Sequence, residues 1–127
     1  MTTSTAAEVL NAAAQRRIAP VTGLEAWGLT LFMRSLTERE KSAYEYSLID
    51  PETGQIIPER IKAARASLIA RVICDESGVL VFDEGQVKAL MSRDGKLIGV
   101  LNQQAREHVG LSKEEKKAPS DTDPEDD

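Results

Sequence analysis

The chain has 127 residues, room for one domain, and a formal net charge of -5. Most of that charge lies in Lys113 to Asp127, which holds three lysines and seven acids, against 13 basic and 14 acidic residues in 1–112; a nearly neutral body excludes the field of a nucleic-acid binder, and the acidic end repels nucleic acid and anionic lipid. One cysteine, Cys74, excludes an intramolecular disulfide, and with no basic-then-apolar leader and no apolar run near the ~18 residues of a spanning helix the chain is expected in the cytosol, away from membranes.

Thr5-x-x-Glu8 is a capping-box pattern ahead of an Ala-rich run, so a helix is expected over Ala6 to Arg17, with Val9, Leu10 and Ala13 on one side. Residues 1–17 read as a helical arm, because this apolar flank is weak. Pro20 and Gly23 interrupt it. Leu29 to Arg34 alternates as a half-buried strand, with Leu29, Leu31 and Met33 on one face and Thr30, Phe32 and Arg34 on the other. Ile18 to Val21 is its expected antiparallel mate. Thr37-x-x-Glu40 is a second capping box, with Leu36 placed for a hydrophobic staple, and its helix is expected to reach Leu48.

Asp50 to Gly54 is turn-rich. Pro58 suits the first turn of a helix whose stripe is Ile61, Ala64, Leu68 and Val72, widened by Ile69 and Ile73. Asp75 to Gly78 is a turn, and Val79 to Phe82 a short apolar run. Asp83-x-x-Gln86 opens another helix, with Val87, Leu90 and Met91 inward. After a break at Asp94-Gly95, a last helix puts Leu97, Ile98, Leu101, Ala105 and Val109 on its apolar face and ends at Gly110. The stretch from Lys113 has two prolines and no large apolar residue, so it is expected to be disordered. The predicted fold is α+β, mostly α: an N-terminal β-hairpin followed by about four helices, forming one domain over 18–112.

No constellation supports catalysis or a cofactor. His108, the single histidine, lacks sequence-near partners for a base or a metal site and reads as a half-exposed helical residue. Cys74 reads as a small core residue. Asp75, Glu76, Asp83 and Glu84 surround Gly78 but lack the ligand alternation of a calcium loop. The glycines form no phosphate-binding fingerprint, and the arginines are interleaved with acids. An exposed Trp27-Phe32 pair would make a protein-binding surface, whereas cover by the first helix or the hairpin mate, the usual fate of large aromatics, would make both structural; Val9 and Leu10 join them as candidate contact residues.

Glu25-Ala26-Trp27-Gly28, the strand ending at Arg34, Ser35-Leu36-Thr37-Glu38-Arg39-Glu40, the apolar Arg65 to Cys74, and the close on Val109-Gly110-Leu111-Ser112 together resemble the tail assembly chaperones of long-tailed phages and prophages. Leu24 stands where that family's tryptophan turn has proline. The resemblance covers about Glu25 to Ser112. It implies a non-enzymatic protein that binds the long helical tape measure protein in the host cytoplasm, keeps it soluble, and is absent from the finished virion. It leaves room for self-association, for contact with the tail tube protein, and for a longer product made by a frameshift near Lys116-Lys117. The residues alone leave a second reading open, a small regulatory or adaptor protein of a mobile element.

Overall fold

The structure, a computed structural model, describes residues 2–111. The acidic stretch expected to be disordered and the Lys116-Lys117 pair lie outside the described residues.

Helix α1 (Ala6–Ala13) starts at the expected capping box: Thr5 Oγ1 accepts from Glu8 N–H, and Glu8 Oε1 accepts from Thr5 N–H. It ends four residues before Arg17, the expected limit. The chain there is taken by the sheet, because Arg17 N–H donates to Ser35 Oγ (2.8 Å) and Arg17 O accepts from Ser35 N–H (2.9 Å). Extended pairing of this kind competes with one more helical turn.

Strands β1 (Ile18–Pro20) and β2 (Phe32–Arg34) form the expected antiparallel hairpin, with Ala19 opposite Met33. The strand of the second arm is shorter than its alternation indicated. Trp27 belongs instead to a 3-10 turn, Glu25–Trp27, closed by Gly28 in the left-handed region, and Leu29 is exposed. A third strand, β3 (Ile73–Cys74), pairs with β2 and completes the sheet in the order β1-β2-β3.

Helix α2 (Glu38–Tyr46) begins at the Thr37 box. Leu36 is no staple: the position it would meet is Lys41, and Leu36 packs on the core instead. Tyr44 is buried and its hydroxyl donates to Ala64 O (3.2 Å). The helix expected from Pro58 is broken at Ala63 into α3 (Pro58–Lys62) and α4 (Ala64–Val72). The break leaves Ile61, on the expected stripe, exposed. The β-branched pair Val72-Ile73 then lets the chain leave the helix and pair with β2.

Helix α4 is the centre of the body. Leu68, Ile69 and Val72 are fully buried, each stabilising by roughly 1.5–3 kcal/mol. They meet the core of α5 (Val87–Met91) at Leu90, and of α6 (Gly95–Val109) at Ile98, Leu101, Ala105 and Val109. Met91, expected inward on α5, is exposed. Gly110 ends α6 in the left-handed region (φ 82°), with Leu111 N–H donating to Arg106 O (2.9 Å) and Leu111 tucked against the core.

Candidate protein-interaction surface

The four expected contact residues fall in different settings. Helix α1 buries none of its eight residues, and Val9 and Leu10 are 56% and 69% exposed. An eight-residue helix without a docked face is below the length at which isolated helices hold in water, roughly 12–15 residues. Trp27 is half-buried and packs against the core cluster. Phe32 is half-buried in β2, outside that cluster, beside a shallow depression it shares with Thr30, Asp75, Glu76 and Ser77.

A network of polar contacts fixes where the arm leaves the body. Arg16 grips Glu40 with two parallel bonds of 2.8 Å, and also donates to Ser35 O (2.8 Å). The guanidinium, aided by the Thr37 N–H, holds the Glu40 carboxyl down at about 2 against the pull of partial burial. Arg17 donates to His108 O (2.7 Å), and His108 Nε2 lies 3.0 Å from Arg17 O. One step along, Thr22 N–H donates to Gln104 Oε1 (2.9 Å) and Gln104 Nε2 donates to Thr22 O (2.8 Å). Both strand-flanking residues are thereby tied to α6. His108 thus clamps backbone, which its isolation in the sequence did not indicate.

A larger cleft, about 910 Å³, opens beside the end of β2. Its walls are β2 and the start of α2 (Arg34, Leu36, Glu40), α4 (Ala70, Arg71) and the segment 78–87. The run Val79-Leu80-Val81 lies along it, and all three side chains are exposed. In the sequence that run is marked only by being apolar. Exposure was the missing information, since a run of four apolar residues fits a buried strand equally well.

Most charged groups at or beside this cleft have structural partners. Arg34 Nε donates to Arg71 O (3.2 Å), capping the last turn of α4, and burial lowers its pKa. The Arg71 guanidinium lies 5.9 Å from the centroid of the Tyr44 ring. Asp75 Oδ1 accepts from Ser77 N–H (2.9 Å), Ser77 Oγ (2.8 Å) and Val79 N–H (3.0 Å), which lowers its pKa, the Ser77 side chain contributing most. Asp83 and Gln86 form a third reciprocal cap. Cys74 is fully buried and burial pushes its thiol pKa up, the opposite of an activated nucleophile. Among the described residues no cluster of three or more His, Cys, Asp or Glu is arranged to hold a metal, and no helix is long and apolar enough to cross a membrane.

No protein-family model matches the chain, and no curated protein matches it by sequence. In three dimensions it is similar to the tail assembly chaperone of bacteriophage HK97. The two share 19% identity and superpose with a TM-score of 0.55, over 82% of this chain and 97% of the other. At that identity the likeness establishes a shared fold.

Proposed function

We infer that this protein is a non-enzymatic phage tail assembly chaperone that binds the tape measure protein and keeps it soluble in the host cytoplasm until the tail tube forms. The observation that carries the reading is the fold shared with the HK97 tail assembly chaperone across nearly the whole of that chain. The exposed apolar surfaces support it. An arm with Val9 and Leu10 in water and a cleft edged by Val79 to Val81 offer cover for the apolar faces of partner helices. The net acidic chain keeps such a complex soluble. In this reading the protein leaves before the virion is complete, and the tail tube protein and a frameshifted longer form encoded beyond Lys116-Lys117 are further partners.

Co-expression tests it. A tape measure fragment should move from the pellet to the soluble fraction and co-elute with the chain on gel filtration. A fragment that stays insoluble and elutes alone sinks the reading. The double substitution Val9→Ser and Leu10→Ser should weaken that complex about tenfold. Full binding by the double variant removes the arm from the contact surface.

A further inference from the structure

The two edges of the sheet are treated differently. On β1 the residues whose backbone groups point outward are Ile18 and Pro20, and Pro20 has no N–H to offer. The flanks of that edge are held by His108 and Gln104. The far side of β3 is covered by the chain folding back at Asp75 to Gly78. Cys74 bridges to Leu80 through Val81 N–H to Ile73 O (3.1 Å) and Asp75 N–H to Val79 O (2.8 Å). In this antiparallel pattern the N–H and C=O of Leu80 itself point away from β3. Neither has a hydrogen-bond partner among the described residues.

Val79 to Val81 is therefore the outer edge: bridged to β3 at Leu80, apolar, exposed, without proline or lysine. Natural sheets blunt edges of this kind unless they are used. The charge around it says what can use it. Between Val72 and Val87 stand Asp75, Glu76, Asp83 and Glu84 and no basic residue, and of the two arginines that line the cleft, Arg34 is engaged by the Arg71 carbonyl and Arg71 lies over the Tyr44 ring. A second copy is disfavoured, because its own edge would bring the same four carboxylates up against these, and like charges repel.

We propose that the Val79 to Phe82 edge receives an extended segment of a partner protein, apolar at alternate positions and flanked by Lys or Arg, as an added β-strand. This rests on the chaperone reading only in taking the partner to be a protein with uncovered apolar segments.

Two fluorescein-labelled nonapeptides test it against the full chain by anisotropy: Lys-Lys-Val-Ile-Val-Thr-Val-Lys-Lys, and its twin with Glu for every Lys. The basic peptide should bind at least about tenfold more tightly, and added salt should narrow the gap. Exchange of the Leu80 amide should slow by about tenfold or more when it binds, as expected for a newly made ladder bond. Leu80→Pro removes the outward N–H together with the leucine side chain and should weaken binding by about tenfold relative to Leu80→Ala, which keeps the N–H. The pair Glu76→Lys and Glu84→Lys should abolish or invert the charge preference, and carries the test should Leu80→Pro melt early. No binding by either peptide, equal binding of the twins, or full affinity in a folded Leu80→Pro overturns the proposal. A tape measure fragment held in solution while the edge shows none of these effects overturns it and leaves the chaperone reading standing. Peptide capture without a tape measure complex upholds the edge and removes that reading.

Discussion

Helices α1 and α2 start alike and end up in opposite situations. Each opens on a threonine whose hydroxyl accepts the N–H three residues on, while a glutamate there returns the bond. By composition α1, AAEVLNAA, is the more apolar, and α2, EREKSAYEY, is largely charged. Yet α2 buries Tyr44 and is clamped through Glu40, while α1 buries nothing. A cap decides where a helix begins, and apolar character alone does not decide whether it docks. One large side chain with a place to go anchors α2; small alanines flanking Val9 and Leu10 give α1 little area to bury. The apolar side of α1 is left for something outside the body.

The comparison can be broken most sharply at Tyr44. Tyr44→Ala removes a buried ring and its bond to Ala64 O, and should cost about 3–5 kcal/mol in denaturant unfolding. An unchanged midpoint would mean that α2 is no better anchored than α1.

The second clamp is electrostatic and shows in the pH dependence. Glu40 lies well below its ordinary value of 4.5, at about 2. A carboxylate depressed in the folded state adds stability that is fully present above its unfolded value and is lost as pH falls through the folded one. Unfolding followed from pH 6 to pH 2 should therefore lose about 1 kcal/mol from this pair, below the full linkage value because both side chains are a third exposed. Arg16→Ala should remove that slope. Persistence of the slope would assign it to other carboxylates.

The smallest effects compare the caps themselves. Thr37→Ala should lower global stability by about 1 kcal/mol. Thr5→Ala should leave the global transition within about 0.5 kcal/mol and reduce only the helical circular dichroism of the arm. Equal losses at the two sites would show that α1 folds with the body.

What could be read from the residues follows the range of the forces involved. The boxes at Thr5, Thr37 and Asp83, the face of α6 and its close at Gly110 depend on neighbours within a turn, and all stand as read. The early end of α1 and the strand Ile73–Cys74 depend on β2 and the residue after it, some 20 to 40 residues away along the chain. A periodic stripe cannot report such competition. The same holds for the surface. The exposure of Val9 and Leu10 follows from a flank too weak to bury, whereas that of Val79 to Val81 needed the structure, since only the fold says what covers a run of aliphatic residues.

The tie between Arg17 and His108 sets an order of events during synthesis. These partners are 91 positions apart, and the neighbouring pair Thr22 and Gln104 spans 82. Closing so long a loop costs little more entropy than closing one half its length, about 0.6 kcal/mol per doubling. It cannot close at all, however, until α6 has been made. A chain growing from its N-terminus can pair its first strand with β2 and close Arg16 on Glu40 early, but must carry Arg17 and Thr22 without their α6 partners through most of translation, with the outer side of the first strand open until the last helix arrives.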